Sequence, residues 1–403
     1  MSGIVVVGAG QAGSSLVAKL RAEGFTGKLT LIGEEHAPPY QRPPLSKKYL
    51  LGEMELERLY LRPEAFYAEN DITLLTDRRV HAIDLADRRL VLGGDTLAYD
   101  QLALTTGSIP RRLPPAIGGL LGGVHVVRTL RDVDRIATEI RPGARALIVG
   151  GGYIGLEAAA VASKLGLDVT LVEMADRILQ RVAAPETSNY FRVLHRGHDV
   201  DLREGVGLER LTGEDRVTGA RLTDGTHLPV DMVIVGIGIS PATELAENAG
   251  LTIDNGIAVD AQGRTSDANV WAAGDCASFP WRDGRIRLES VQNAIDQAEL
   301  VARNMLGAAE AYDPKVWFWS DQYDVKLQIA GLNTGYDRVV IRPGGRDGVV
   351  SHWYFAGEKL LAVDAMNDPR SYMVGKRLID AGRSADPAAI ADPATDLKDL
   401  MKA

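Results

Sequence analysis

Ile4 to Val7 is a short β-branched run that leads directly into Gly8-Ala9-Gly10-Gln11-Ala12-Gly13, and Ser14 to Ala22 then carries Leu16, Val17 and Leu20 at helical spacing. A second apolar run, Leu29 to Ile32, ends at Gly33 and Glu34. Strand, glycine turn, helix and an acid-terminated strand form the βαβ dinucleotide fingerprint. The glycines permit a tight turn and close backbone approach, the helix N-terminus meets pyrophosphate, and the carboxylate accepts ribose hydroxyls. The same order returns later: Ala146 to Val149, then Gly150-Gly151-Gly152-Tyr153-Ile154-Gly155, a helical pattern through Lys164, and Val169 to Val172 ending at Glu173. One such turn constrains a fold weakly. Two, each with strand, helix and acid in place, constrain it strongly.

The expected class is therefore α/β, with two Rossmann-like dinucleotide-binding domains. Residues 312–403 break the pattern with short β-rich segments at Lys326 to Ala330, Arg338 to Arg342 and Val349 to Phe355, then a helix from about Pro369 to Ala381. They read as a small C-terminal α+β domain. Ser384 to Thr395, rich in Ala, Asp and Pro, reads as a loose tail or a linker to a last short helix.

At 403 residues and 45% hydrophobic content the chain is long and apolar enough for two or three cores. Its 45 basic against 54 acidic residues, net −9 with no basic stripe, argue against nucleic acid as a partner. Cys276 is the only cysteine, so a disulfide framework, a four-cysteine zinc site and a chain-borne iron–sulfur cluster are excluded, and no metal site is expected. The N-terminus has no charged segment before its apolar run, and no apolar run approaches the roughly 18 residues of a membrane span. No membrane association and a cytoplasmic location are expected.

Two dinucleotide sites imply two dinucleotides, and the chemically useful pair is a nicotinamide that delivers hydride and a flavin that receives it. Glu173 would repel a 2′-phosphate and accept from a free 2′-hydroxyl, so the second site is expected to prefer NADH to NADPH.

With these features the chain resembles the two-dinucleotide flavoprotein disulfide reductase superfamily through about residue 310. Thr105-Thr106-Gly107-Ser108-Ile109-Pro110 and Gly236-Ile237-Gly238-Ile239-Ser240-Pro241 look like its crossings between nucleotide domains. Thr265 to Asp275 resembles its second flavin motif, whose closing aspartate holds the ribityl chain. The resemblance implies an FAD-binding domain at 1–111 and 241–311, an NAD-binding domain at 112–240, and a C-terminal domain at 312–403 that covers the far side of the flavin. Trp319 then lies near the flavin or serves as ordinary core.

Through Trp317-Phe318-Trp319-Ser320-Asp321-Gln322 the likeness extends over the whole length to the NADH-dependent ferredoxin reductases of bacterial oxygenase systems, the putidaredoxin reductase type. That resemblance implies an enzyme in which NADH reduces FAD and FAD passes single electrons to an external [2Fe–2S] ferredoxin serving a monooxygenase or ring-hydroxylating dioxygenase. It implies FAD contacts at Ala12, Glu34, Lys47, Val80, Arg128, Asp275 and Val291, beside Gly8, Gly10 and Gly13. The nicotinamide dinucleotide takes Gly150, Gly152, Ile154, Gly155, Glu173 and Gly238. A monomer or weak dimer is expected, and Arg62 matches a position on the ferredoxin-docking face.

Pro43-Pro44-Leu45-Ser46-Lys47-Lys48 occupies the place where disulfide reductases carry reactive cysteines, and it has no sulfur. We expect the prolines to stiffen the loop and Ser46 to cap a helix whose first turn holds Lys47, an unfavourable end for a cation. Glu157, in an otherwise apolar helix, must be exposed or paired. The resemblance pairs it with Lys47 beside the reactive flavin edge, as groups that position rather than exchange protons. The helix opening at Glu289-Ser290-Val291 would direct its N–H groups toward negative charge on the reduced flavin. Two other readings stay open: an NADH oxidase or a reductase of disulfides or peroxide, and a redox-sensing binding protein resembling apoptosis-inducing factor.

Overall fold

Ile4–Val7 has no polar face because both of its faces are covered. In the computed structural model, which describes residues 3–401, it is the middle strand of a five-stranded parallel sheet ordered Val270–Ala272, Gln101–Leu104, Ile4–Val7, Leu29–Ile32, Ile72–Leu75. Such sheets, buried on both sides, need uninterrupted apolar strands. Helices Gln11–Ala22 and Val291–Met305 share the core of this sheet, where Leu16, Val17 and Leu20 meet Ala294, Ala298 and Val301. Leu16, Val17, Leu20 and Val301 are each fully buried, a contribution of roughly 1.5–3 kcal/mol apiece. Ser290 caps the later helix by accepting from the Asn293 N–H at 3.1 Å.

This sheet belongs to the first of two compact units, formed by residues 3–41, 55–109 and 239–314. The two crossing segments pair as a ribbon, Ser108–Pro110 with Ile239–Pro241.

The second unit comprises residues 42–54, 110–238 and 315–401 and holds two large sheets. One is parallel, ordered Asp201–Glu204, Asp168–Glu173, Arg145–Val149, Met232–Val235, Val124–His125. The other is antiparallel, ordered Trp317–Gln322, Val325–Gly331, Lys359–Met366, Val350–Ala356, Arg338–Pro343, with helix Pro369–Asp380 on its core. Asp368 caps that helix through the Ser371 N–H, with Pro369 at its first position.

Two local expectations are corrected. Pro43–Ser46 is itself a single 3-10 turn and Lys47 follows its end, so Ser46 caps no helix. Proline favours the first position of a helical turn, which sets the start at Pro43 rather than after Ser46. The tail at Ser384 to Thr395 is not loose: Arg342 donates to the carbonyls of Ile390 at 2.9 Å, Asp392 at 2.8 Å and Thr395 at 2.7 Å, and Ile390 is fully buried in the C-terminal core.

Candidate functional site

The 3-10 turn closes when the Lys47 N–H donates to the Pro44 carbonyl at 3.0 Å. Its stiffness delivers the Lys47 ammonium to two acceptors, the Pro43 carbonyl at 3.3 Å and Glu157 Oε2 at 2.6 Å. Placed after the turn's C-terminal end, the cation now agrees with the local dipole. Arg42 donates to the Arg128 carbonyl at 2.6 Å, the Tyr49 hydroxyl donates to Asp134 at 2.9 Å, and Leu45 is buried, so the loop is fastened on both sides.

Glu157 lies in helix Tyr153–Lys164 and is 3% exposed. A carboxylate that dry costs several kcal/mol unless it is paired and hydrogen-bonded. Three side chains meet it: Lys47 and, at 2.8 Å, the Ser46 hydroxyl donate to Oε2, and the Ser320 hydroxyl donates to Oε1 at 2.7 Å. Sequence reasoning gives Ser46 a capping role only and does not single out Ser320. Ser320 and Gln322 alternate onto the buried face of strand Trp317–Gln322, a burial that the sequence Trp-Phe-Trp-Ser-Asp-Gln does not show.

The fingerprint turns fit dinucleotides. A Cβ on Gly8 would lie 2.2 Å from the Thr105 carbonyl oxygen, and one on Gly150 would lie 2.4 Å from that of Gly236; both residues have positive φ, so each strand-to-helix turn needs glycine. The central glycines, Gly10 and Gly152, face open space and begin their helices without a side-chain cap. Gly13 and Gly155, by contrast, press on the Gly8 and Gly150 carbonyls. An open, uncapped helix start behind a tightly packed turn is the cradle a pyrophosphate takes.

The terminal acids differ. Glu34 is exposed, with Arg79 at 3.4 Å. Glu173 is held beside its turn, accepting from the Gly151 N–H at 2.6 Å and the Ala175 N–H at 2.8 Å, with lone pairs left for a ribose. Gly238 has positive φ and lies near Arg181, and Ile154 is exposed on the fingerprint helix. In the first unit, Asp275 follows strand Val270–Ala272 and accepts from the Ser108 hydroxyl at 2.9 Å. Ala12 packs under Gly274, Val80 is buried, and Val291 opens its helix. Lys47 and Arg128 belong to the second unit, as do Glu157, Glu173 and the glycines of the second fingerprint.

Cys276 is fully buried, within 3.5 Å of the Leu104 and Ala273 carbonyls, and burial pushes its thiol above the ordinary range. Trp319 is partly buried, with its ring 5.6 Å from that of Trp317. Among the described residues, no cluster of His, Cys, Asp and Glu is arranged to hold a metal, and no helix is long and apolar enough to cross a membrane.

Comparison with known proteins agrees with this geometry. The family model for pyridine nucleotide-disulphide oxidoreductases matches residues 2–298, and the model for the reductase C-terminal domain matches 317–401. A ferredoxin–NAD(P)(+) reductase of Sphingomonas sp is 44% identical over 99% of this chain and 97% of its own length. The ferredoxin–NAD(+) reductase component of the p-cumate 2,3-dioxygenase system of Pseudomonas putida is 38% identical over 99% of this chain and 98% of its own. In the crystal structure of a covalent putidaredoxin reductase–putidaredoxin complex, one chain superposes with a TM-score of 0.96 at 39% identity, covering 100% of this chain and 98% of that one.

Proposed function

The chain belongs to the pyridine nucleotide-disulphide oxidoreductase family, and from that premise we propose that it is an NADH-dependent, FAD-containing ferredoxin reductase that supplies a [2Fe–2S] ferredoxin of a monooxygenase or ring-hydroxylating dioxygenase. The observation that carries this reading is the Lys47–Glu157 pair, whose lysine follows a sulfur-free turn while the chain's one thiol is sealed elsewhere.

Bound FAD supplies a two-electron acceptor for the hydride of NADH and a one-electron donor to ferredoxin, two turnovers of ferredoxin and one released proton balancing each NADH. Hydride transfer requires no proton exchange with a side chain, so the protein contributes alignment and charge. Lys47 places a cation at the flavin edge, and Glu157 fixes that cation while offsetting its charge. Gly8, Gly10, Ala12, Gly13, Glu34, Val80, Arg128, Asp275 and Val291 hold FAD. Gly150, Gly152, Ile154, Gly155, Glu173 and Gly238 hold NADH. Residues 1–111 with 241–311 form the FAD-binding domain, 112–240 the NAD-binding domain and 312–403 the C-terminal domain. A lone buried thiol suits the cytoplasm.

The test is anaerobic titration with NADH, followed by cytochrome c reduction with and without [2Fe–2S] ferredoxin. Full bleaching of one FAD per chain and ferredoxin-dependent cytochrome reduction are expected. Turnover at limiting ferredoxin should fall with ionic strength and on Arg62→Glu, whose guanidinium lies over the Phe66 ring at 4.9 Å. Cytochrome reduction that ignores ferredoxin, or a bleached state that persists as a stable complex without turnover, would overturn the reading.

A further inference from the structure

Behind Glu157 runs a dry line of polar side chains that hydride transfer does not itself require. Ser320 Oγ, which donates to Glu157 Oε1 at 2.7 Å, accepts from Gln322 Nε2 at 3.2 Å. Gln322 Oε1 in turn lies 2.8 Å from His195 Nε2. Ser320, Gln322 and His195 are each completely buried, at positions where apolar side chains would satisfy packing.

Donor chemistry gives this line a single direction. The Gln322 amide nitrogen only donates, so the Ser320 hydroxyl must accept from it and spend its own proton on Glu157. The Gln322 carbonyl only accepts, so His195 carries its proton on Nε2. His195 Nδ1 is then left buried with no partner among the described residues, a cost that an apolar residue would avoid. Burial also drives the imidazole down to about 4, so it stays neutral. Reversing the line would require both an amide flip and the other histidine tautomer.

We propose that Ser320, Gln322 and His195 are positioning residues for the Lys47–Glu157 pair. The line claims Oε1 and fixes the carboxylate plane, so that Oε2 is presented to the Lys47 ammonium in one orientation. Ser46 closes the other side of Oε2. A carboxylate released from Ser320 could turn about its last bond and carry the ammonium with it. This inference rests on the reading that the pair acts at the flavin edge.

The test uses full-length, FAD-loaded protein and a mutant cycle of Ser320→Ala, Lys47→Met and the double variant, read by rapid anaerobic mixing with NADH and by the midpoint potential of the bound flavin. Ser320→Ala should slow flavin reduction about fivefold at saturating NADH, leave the half-saturating NADH concentration unchanged, and move the potential in the same direction as Lys47→Met. Because Ser320 acts through the pair, the double variant should be no slower than Lys47→Met alone. Gln322→Met, which keeps volume but removes the amide donor, should give about half the effect on a logarithmic scale and stands in if Ser320→Ala does not fold. A wild-type rate and potential in both chain variants beside a slow Lys47→Met would overturn the positioning role alone. Full additivity in the double variant would do the same. A wild-type rate in Lys47→Met itself would overturn the flavin-edge reading and this inference with it.

Discussion

Lys47 Nζ and Glu157 Oε2 lie 2.6 Å apart, with the lysine 16% and the glutamate 3% exposed. Removing one member of a pair this dry leaves a buried charge, typically a loss of about 3–5 kcal/mol. Here Ser46 and Ser320 remain to solvate the carboxylate, so folding should survive and the effect should appear in electron transfer.

Lys47→Met should accordingly slow NADH-driven bleaching by at least about tenfold, roughly 1.4 kcal/mol in the barrier, and lower the flavin potential. Adding Glu157→Gln should recover part of the loss, because the carboxylate then no longer opposes electron arrival. Stopped-flow absorbance under anaerobic conditions measures both, and an unchanged rate in the single variant would reduce the pair to a structural clasp.

We propose that Glu173 governs the choice of coenzyme. The wild type should favour NADH over NADPH by at least about tenfold in kcat/KM, and Glu173→Arg should narrow or invert that ratio. The same change removes the acceptor of the Gly151 and Ala175 N–H groups, so the variant should also melt lower. Steady-state kinetics with each coenzyme, together with a melting curve, separates the two effects.

Cys276 should be dispensable. In Cys276→Ser the hydroxyl retains the Leu104 and Ala273 carbonyls as acceptors, and we expect near-wild-type ferredoxin-dependent turnover with about 1 kcal/mol lost from packing. In the native wild type the thiol should resist alkylation until denaturant is added. Loss of activity on alkylation with FAD still bound would return attention to thiol chemistry.

Acid should weaken the second unit in a defined window. Burial holds His195 and His352 at about 4, below their ordinary 6.5, so each gains a proton on unfolding; the stability this gives is complete above pH 6.5 and declines toward pH 4. Asp364, fully buried among Thr187, Tyr354 and His352, is pushed up to about 6 by desolvation. Its contribution has the opposite sign: present below 3.8 and lost as pH rises through 6. Near pH 5 two protons are gained on unfolding and one is released, a net slope of about 1.4 kcal/mol per pH unit. The melting temperature should therefore fall from pH 7 to pH 5, and His352→Gln should flatten that fall. A flat wild-type profile would contradict the burial of these groups.

The parts legible in the sequence were those fixed by near neighbours. Gly8 and Gly150 announce their turns because each must bring its own strand against a carbonyl, and Ser290 announces its helix because its hydroxyl finds the Asn293 N–H only three residues on. Lys47 misled because Ser46 looks like a cap, whereas Pro43 and Pro44 start the turn earlier; the dipole conflict expected at Lys47 does not exist. Strand Lys359–Met366 was overlooked because it is buried at seven of eight positions and shows no alternation. Ser320, Gln322 and His195 look unremarkable in sequence, since their meaning arises only where strand Trp317–Gln322 and helix Pro185–Gly197 bring them together.

The first parallel sheet also has a consequence for synthesis. Its edge strand Val270–Ala272 and the helix Val291–Met305 that shares the core with Leu16 and Val17 are encoded after the whole parallel sheet that contains Arg145–Val149. At about 5–20 residues per second, roughly 15–60 s separate translation of the first strand from translation of Met305. During that interval the opening βαβ unit leaves the ribosome without its covering helix, its apolar strands available to chaperones or to neighbouring chains. The residues encoded between are therefore all made before the first-made part of the protein can finish its core.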